Sequence, residues 1–397
     1  MHTCGRRSST VVSTVTFCLV TLTLGACTER AVAPLDPSES FAPSASADAQ
    51  RRADLSEGTG AVYTLTNAAS GNGVVAFHRA ADGSLSPLGT VATGGLGTGG
   101  TIDPLASQYA AVLNERHDAL FAVNAGSDQL SSFRVGADGA LTLASTVSSG
   151  GSRPVSLAVH DNLLYALNTN DNTLSGYRIT GGARLVALPH SIRPLASGAN
   201  GAAAVRFTAD GRQLIVSERV SNRLEVFAVS AEGRLGAPVV SPSHGSAAFG
   251  FDVTARNQPI VSETQGSLTS YALGAHGALT PITASIATAG AAPCWVTITS
   301  DGRFAYAANA GSNALAGFAV GADGRLTAIT PGAATGDAGA GATPLDLDHV
   351  GSRFVYTLEA GRGNIGIFRI GEGGTLVARP DVGAGAAASG MQGLAAF

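Results

Sequence analysis

The sequence contains no lysine, since all 24 of its basic residues are arginines. This absence excludes a Walker-type phosphate loop, a Schiff-base lysine and a lysine general base. Charged residues of both signs make up only 13% of the 397 residues, and the formal net charge is −4. Such a chain lacks the positive surface that nucleic-acid binding requires, so no nucleic-acid partner is expected.

Cysteine and tryptophan are also scarce, with four cysteines and a single tryptophan. Cys4 and Cys18 belong to an N-terminal segment in which Arg6 and Arg7 precede an apolar run rich in Ser and Thr. The run is too short and too rich in hydroxyl groups for a convincing membrane span. Its pattern is that of a secretory signal.

The segment ends in LGAC, which resembles the lipobox of bacterial lipoproteins. The resemblance implies that residues 1–26 are a signal peptide and that Cys27 is lipidated. Because several acyl chains hold a soluble domain on a bilayer, we expect an extracytoplasmic protein whose only membrane contact is this anchor. The alternative is an ordinary secretory signal with a chance cysteine. Cys294 is then the one thiol of the mature domain, which excludes an intramolecular disulfide there.

The rest of the chain divides into a tether and a repetitive region. Residues 27–60 are rich in Ala, Ser and Pro, which is typical of a flexible tether. Residues 61–397 contain seven copies of a unit in which leucine follows an aromatic residue by eight positions. Successive aromatic residues are 44 to 56 positions apart, a period typical of one β-propeller blade. The seven aromatic residues are Phe77, Phe133, Tyr177, Phe227, Tyr271, Phe318 and Phe368.

Within a unit, short alternating runs such as FAYAAN and LAGFAV are separated by turn signals such as AGSN and ADG. These patterns predict antiparallel strands joined by tight turns, and helical periodicity is absent. The sequence therefore predicts an all-β protein, a seven-bladed β-propeller with four-stranded antiparallel blades. Residues 61–90 supply only three strands of the first blade, so we expect residues 393–397 to return as its innermost strand and close the ring.

In the usual threading of a propeller, the second strand of each blade ends at the mouth of the central channel. Converging carboxylates at such a mouth divide acid and base roles when their pKa values are pushed apart, and they also offer oxygen ligands to a divalent cation. The alternative is that these side chains only accept hydrogen bonds from the following turn. The residues at this position are Asn67, Asn124, Asn168, Glu218, Glu263, Asn309 and Glu359.

Two further candidates fall on the same face. Arg219 has the planar fork that binds an anionic substrate. His244 is a candidate acid or base, because histidine is the side chain best suited to proton transfer near neutral pH, and its alternative is a surface-loop histidine. By contrast, GGLGTGG at residues 94–100 has a GxGxxG pattern without a βαβ unit around it. We interpret that stretch as a flexible inter-blade loop rather than a dinucleotide site.

The stretch APCWVTIT, residues 291–298, aligns with the innermost strand of the sixth blade. Cys294 aligns with apolar residues of other blades, so we expect a buried, inert thiol. Trp295 aligns with small residues. Its indole therefore either forms an apolar wall of the channel mouth for a ring-shaped ligand or fills a gap in the core.

The units QLIVSERVSNRLEVFAVSAEGRL, APCWVTITSDGRFAYAANAGSN and TPLDLDHVGSRFVYTLEAG resemble those of the seven-bladed lactonase family. That family includes propeller-type 6-phosphogluconolactonases and carboxymuconate lactonising enzymes. The resemblance spans residues 61–397 and implies lactone chemistry at the central mouth without an obligatory redox cofactor. Where members often carry a PHxH stretch, Gly201 and Ala203 replace the histidines. No catalytic histidine is therefore transferred from the family.

Two functions remain open from the sequence. In the first, an envelope-anchored hydrolase opens a sugar-acid or carboxylated lactone, and Glu218, Glu263 or His244 activates water as general base. In the second, a propeller without catalysis binds a protein or polysaccharide partner. For the enzyme we expect a monomer that needs no cofactor, with a divalent cation at the mouth as a further option. The residues expected to contact its lactone or carbohydrate ligand are Arg219, Trp295, Asn309 and Glu359.

Overall fold

The computed structural model describes residues 58–397 of the chain. The expected signal peptide, the lipidation site Cys27 and nearly all of the expected tether lie outside these residues, so those expectations stay predictions. No helix within the described part is both long and apolar enough to cross a membrane.

Residues 58–397 fold into seven antiparallel β-sheets, the blades of a propeller. Blades 1 to 4 contain β1 (Gly60–Leu65), β2 (Gly73–Arg79) and β3 (Leu85–Ala92); β4 (Ala111–Leu113), β5 (Ala119–Asn124), β6 (Gln129–Val135) and β7 (Leu141–Ser148); β8 (Pro154–His160), β9 (Leu163–Asn168), β10 (Thr173–Thr180), β11 (Arg184–Ala187) and β12 (Arg193–Pro194); and β13 (Ala202–Phe207), β14 (Gln213–Glu218), β15 (Arg223–Val229) and β16 (Leu235–Pro242).

Blades 5 to 7 and the ring closure use the remaining strands, and two short 3-10 turns, Ala310–Ser312 and Glu372–Gly374, interrupt the loops. In blades 3 and 6 the outermost position is divided between two short strands. The strands are β17 (Ala248–Val253), β18 (Pro259–Glu263), β19 (Ser267–Leu273) and β20 (Leu279–Ala287); β21 (Pro293–Ile298), β22 (Phe304–Asn309), β23 (Ala314–Val320), β24 (Leu326–Ala328) and β25 (Gly336–Asp337); β26 (Pro344–Val350), β27 (Phe354–Glu359), β28 (Asn364–Ile370) and β29 (Leu376–Gly383); and β30 (Gln392–Ala396).

The first blade takes its innermost strand from the C-terminal end of the chain. β30 pairs antiparallel with β1, with Tyr63 opposite Ala395. Beyond the strand, Phe397 and Ala61 exchange two backbone hydrogen bonds of 3.0 and 3.1 Å. The prediction of an all-β, seven-bladed propeller closed by the C-terminal strand is therefore confirmed.

Position within the blade explains the composition of each strand. The second strands β5, β14 and β27 are buried along their whole length. Neighbouring blades cover both faces of these strands, so nearly continuous apolar runs are favoured there. The outermost strands β3 and β29 are mostly exposed and tolerate polar residues.

Tyrosines on second strands connect neighbouring blades. The hydroxyl of Tyr63 donates to Gly139 O at 2.7 Å, and that of Tyr356 donates to Gly83 O at 2.8 Å. Both glycines lie in ADG turns with φ of 81° and 85°, a region that favours glycine. A Cβ on Gly83 would lie 2.3 Å from the Phe354 ring. The repeated turn therefore fixes the spacing between blades as well as the hairpin.

The chain itself closes one end of the central channel. Residues 103–110, which we call the channel plug, precede β4 and cross to the opposite blades. The backbone N of Gln108 donates to Ala203 O in blade 4 at 3.1 Å, and its Nε2 donates to Val296 O in blade 6 at 2.7 Å. Gly250 makes room for this side chain, since a Cβ there would lie 2.2 Å from Gln108 Oε1.

The plug also contacts blades 3 and 5. Ser107 Oγ donates to Val155 O at 2.9 Å, and the Tyr109 hydroxyl donates to Phe251 O at 2.6 Å. β4 is short because the residues before it leave the sheet to make these contacts. We call the end of the channel where the innermost strands begin the upper face, and the end where they finish the lower face. The plug fills the upper part of the channel.

Candidate functional site

Six of the seven polar residues predicted at the channel mouth end second strands on the upper face, and Asn67 lies two residues beyond the end of β1. However, each of the seven is at most 2% exposed. Their side chains bind neighbouring loops and turns, including the loop that leads into their own blade. The prediction of an acidic rim open to substrate is therefore wrong. The residues concerned are Asn67, Asn124, Asn168, Glu218, Glu263, Asn309 and Glu359.

Glu218 belongs to a buried ion-pair network within blade 4. Its carboxylate accepts from Asn200 N and Arg223 Nε, each at 3.0 Å, and from the Ser221 hydroxyl. Arg223 also pairs with Glu225 at 3.2 Å. Burial raises the pKa of Glu225 to about 7, and the neighbouring Glu218 adds to this rise. Glu218 therefore ties the second strand of blade 4 to the third strand and to the loop that leads into the blade, and it has no exposed oxygen for activating water.

Glu263 is enclosed in the same way by blade 5 and the loop that leads into it. Its Oε1 accepts from Gly245 N at 2.6 Å and from Thr269 Oγ1 at 2.7 Å, and its Oε2 accepts from Ser267 and Ser285 hydroxyls. A Cβ on Gly245 would lie 1.9 Å from Oε2, so the loop backbone packs directly on the carboxylate. The structure contradicts a general-base role for Glu263.

Replacing Glu263 by glutamine is expected to destabilise the fold rather than to slow catalysis. The new amide group would face hydrogen-bond donors, which costs about 1–3 kcal/mol of unfolding free energy. Chemical denaturation of the variant measures this loss. Glu232→Gln is the matched control, because Glu232 is exposed in an outer turn and should change stability by at most about 0.5 kcal/mol. Unchanged stability with lost lactone turnover would restore the catalytic role.

Asn309 contacts the chain just after blade 5, and Glu359 pairs with an arginine of its own blade. Asn309 Nδ2 donates to Thr288 O at 3.4 Å, and Arg362 Nε donates to Glu359 Oε2 at 3.1 Å. Burial raises the pKa of Glu359, although Arg362 counteracts the rise. Because both side chains are buried, the structure contradicts the predicted substrate contacts.

Trp295 is likewise a packing residue. It is 2% exposed, its Nε1 donates to Ser107 O of the plug at 2.8 Å, and its ring meets Phe249 edge-on at 5.4 Å. The structure thus contradicts an apolar wall for a ligand and favours the alternative of a core filler. Cys294 is a free, buried thiol, and burial raises its pKa to about 12, which keeps it protonated and inert.

Arg219 and His244 are the two candidates that remain exposed on the upper face. The charge of Arg219 acts on Asp103 of the plug. His244 donates its backbone N–H to the Tyr271 hydroxyl at 2.9 Å. Neither side chain lines the cavity on the lower face. Their predicted roles stay predictions for the upper face.

The glycine-rich stretch at residues 94–100 is packed rather than loose, which corrects the expectation of a flexible loop. A Cβ on Gly95 would lie 2.5 Å from the Asn124 side chain, and one on Gly97 would lie 2.1 Å from the Asn67 backbone. The glycines therefore allow the loop to lie directly on the strand ends. This packing explains the pattern without a phosphate ligand.

A cavity of about 680 Å³ opens on the lower face of the channel. The plug residue Tyr109 lies at its inner end, and polar side chains near the lower ends of innermost strands line its wall. They include Arg206 on β13, Asp252 on β17, Thr297 on β21, and Asp348 and His349 on β26.

The repeat pattern places these groups, although the sequence argument missed them. Residues two apart on a strand point to the same face. Trp295 aligns with Ala204, Gly250 and Asp346 of other blades, and the next residue on that face lies two positions further along each strand. Those positions are Arg206, Asp252, Thr297 and Asp348. The alignment of the blades therefore contains this set of polar residues, but near the lower ends of the innermost strands, whereas the site was predicted on the upper face.

Arg206 is held as a charged group inside the cavity. Its Nε lies 2.7 Å from Asp252 Oδ1, and its guanidinium lies 4.6 Å from the centre of the Tyr109 ring. Burial would lower the pKa of Arg206, but Asp252 and Tyr109 raise it. Asp252 Oδ2 accepts from Ile298 N at 3.0 Å, which fixes the carboxylate. The terminal amino groups of Arg206 have no protein partner among the described residues.

His349 is oriented by a hydroxyl and a carboxylate. Its Nδ1 lies 2.8 Å from Thr297 Oγ1 and 3.5 Å from Asp348 Oδ1. Asp348 is fixed in turn, because Ala396 N donates to its Oδ2 at 2.9 Å. Burial would lower the pKa of His349, but the hydrogen bond and charge of Asp348 outweigh burial and raise it. With Nδ1 engaged, Nε2 is the ring nitrogen available to take up a proton.

Two more histidines stand at the rim of the cavity. His160 Nδ1 lies 3.0 Å from Glu115 Oε1, and the His117 ring stacks on Phe397 at 5.1 Å. Within residues 58–397, no group of three or more His, Cys, Asp or Glu side chains is arranged to hold a metal ion. The arrangement is therefore one of a base, a positive charge and hydrogen-bond donors around a blind polar cavity.

The sequence and the fold both match known proteins. The sequence profile described as "Lactonase, 7-bladed beta-propeller" matches residues 70–188, 183–292 and 252–383. A 6-phosphogluconolactonase from Yersinia pestis is 27% identical over 142 residues, which are 34% of this chain and 42% of that relative. The chain thus matches less than half the length of the curated relatives.

Two solved structures share the architecture. A periplasmic gluconolactonase from Pseudomonas aeruginosa is 20% identical with a TM-score of 0.65, over 84% of this chain and 98% of that one. A protein from Lactobacillus plantarum is 20% identical with a TM-score of 0.68, over 86% of this chain and 99% of that one. At such identity the likeness shows the fold alone.

Proposed function

This chain belongs to the seven-bladed β-propeller lactonase family, and from that premise we propose that it hydrolyses a sugar-acid lactone in the lower cavity. The observation that carries the proposal is the setting of His349. Its Nδ1 contacts Thr297 at 2.8 Å beside Asp348, and the same cavity holds Arg206. A base and an oxyanion partner are the two groups that lactone hydrolysis requires.

In the proposed reaction, His349 Nε2 accepts a proton from water as the water oxygen bonds to the lactone carbonyl carbon. Negative charge then develops on the former carbonyl oxygen, and the terminal N–H groups of Arg206 stabilise it. As the bond between the carbonyl carbon and the ring oxygen breaks, His349 returns its proton to the ring oxygen. The product is the open-chain hydroxy acid. The steps transfer no electrons, so no redox cofactor is needed.

We also propose that the enzyme acts outside the cytoplasm, anchored through Cys27. The LGAC sequence supports lipidation, and the likeness to a periplasmic gluconolactonase supports the compartment. Globomycin treatment or Cys27→Ser, followed by membrane fractionation, tests the anchor. Membrane association that survives Cys27→Ser would contradict it.

The two faces of the channel are distinguished by a matched pair of variants, Arg206→Gln and Arg219→Gln. Both make the same chemical change, one in the lower cavity and one on the upper face. We expect Arg206→Gln to lower kcat for hydrolysis of glucono-δ-lactone by about 10²-fold, the effect of losing an oxyanion donor. Initial rates in a pH-stat, corrected for spontaneous hydrolysis, measure the change.

The opposite pattern, with Arg219→Gln inactive and Arg206→Gln active, would place the reaction on the upper face. No turnover by the folded wild-type protein across aldonolactones would reject hydrolysis of this class. The propeller that binds a protein or polysaccharide without catalysis is the function that such a result would favour.

A further inference from the structure

The positive charges around the lower cavity are already engaged. Arg206 has terminal N–H groups left for a ligand, but Asp252 neutralises its charge at 2.7 Å. Arg79 also lines the cavity, yet it is 2% exposed and donates to Phe397 O at 2.7 Å and Gly58 O at 3.0 Å. The sequence has no lysine that could add a further charge.

The carboxylates of the cavity are less well compensated. The Asp348 side chain is 30% exposed, and that of Glu115 at the mouth is 57% exposed, with His160 Nδ1 at 3.0 Å from its Oε1. Asp348 lies beside His349 at 3.5 Å. Because a general base must be neutral to accept a proton, His349 leaves Asp348 uncompensated in the reactive state. Two arginine side chains then line the cavity against three side-chain carboxylates, so the reactive cavity carries net negative charge. The arginines are Arg79 and Arg206, and the carboxylates are Glu115, Asp252 and Asp348.

From this balance of charge we infer that the site selects uncharged lactones and discriminates against lactones that carry a phosphate or a second acidic group. The inference rests on the proposed function and names its substrate class. A phosphate dianion needs cationic partners, most often arginine forks. In this cavity it would meet a paired arginine and two exposed carboxylates that repel it.

Glucono-δ-lactone and 6-phosphoglucono-δ-lactone differ only in the phosphate, so they form the test pair. We expect kcat/KM to be about 10- to 100-fold lower for the phosphorylated lactone at low salt. Added salt should narrow the ratio, because it screens charges that are open to solvent. Glu115→Gln should also narrow it by raising kcat/KM for the phosphorylated lactone. The control Glu232→Gln, in an exposed outer turn, should leave the ratio unchanged.

The outcomes separate this inference from its premise. Equal kcat/KM values at low salt, or a preference for the phosphorylated lactone, overturn the charge selection while leaving lactone hydrolysis in place. If neither salt nor Glu115→Gln changes the ratio of the two kcat/KM values, electrostatic repulsion is not the cause of the selectivity. Turnover of neither lactone by the folded protein overturns the proposed function and the inference together.

Discussion

Replacing His349 by glutamine is expected to lower kcat/KM for lactone hydrolysis by about 10²- to 10⁴-fold, the range typical of a lost general base. Glutamine still offers an amide to Thr297, but it does not take up a proton at neutral pH. Initial rates in a pH-stat measure the loss, and a thermal melt checks that the variant is folded. A folded His349→Gln protein with wild-type rates would remove His349 from the mechanism.

The pH profile gives this prediction a second readout. Burial would lower the pKa of His349, but the hydrogen bond and charge of Asp348, with the charge of Asp252, raise it, while Arg206 opposes the rise. A general base acts when neutral, so kcat/KM should rise as pH passes the raised pKa, above the ordinary value of 6.5.

Asp348→Asn tests the cause of this shift. The substitution removes the main interaction that raises the pKa of His349, so the rising limb of the profile should move to lower pH. A purely structural role for Asp348 would lower kcat/KM at every pH without moving the limb. The free energy of unfolding should also depend on the protonation of His349. Because its pKa is higher in the folded than in the unfolded protein, protonated His349 stabilises the fold below the unfolded pKa, and this contribution disappears as pH rises through the folded pKa.

The fold could be predicted because each blade corresponds to one copy of a sequence repeat. The spacing of the aromatic residue and leucine gave the number of blades, and the missing fourth strand of the first blade required the C-terminal strand. The ends of the second strands were also located correctly in six blades, and in blade 1 the strand ends two residues before Asn67. Their burial was not predictable, because it depends on inter-blade loops whose path the repeat does not encode, such as the close packing of Gly245 on Glu263.

The choice of the wrong face has a comparable cause. The channel plug, residues 103–110, occurs once in the chain and precedes only the innermost strand of blade 2, so it could not be predicted from the repeat. Without the plug, the upper face would be the natural place for a site. Arg206, Asp252 and Asp348 occupy the same position of the repeat. Comparing the blades at every position of the innermost strand, down to its lower end, would have shown this set of polar residues.

Deleting residues 391–397 is expected to lower the melting temperature by about 10 °C or more, or to prevent folding. The deletion removes β30, including buried Leu394 and its pairing with β1. Burying one leucine side chain contributes about 1.5–3 kcal/mol, and each backbone hydrogen bond adds about 0.5–1.5 kcal/mol. A typical domain is stable by only about 5–15 kcal/mol. Circular dichroism melts and soluble yield measure the effect.

A circular permutant separates loss of the strand from loss of chain continuity. Phe397 and Ala61 exchange hydrogen bonds of 3.0 and 3.1 Å, so a short linker can join residue 397 to residue 60. New termini between residues 387 and 388 lie in a loop outside the strands. The permutant keeps β30 and makes blade 1 continuous, so its melting temperature should stay near that of the wild type. If the deletion variant melted at the same temperature as the permutant, the stability of the ring would not depend on β30.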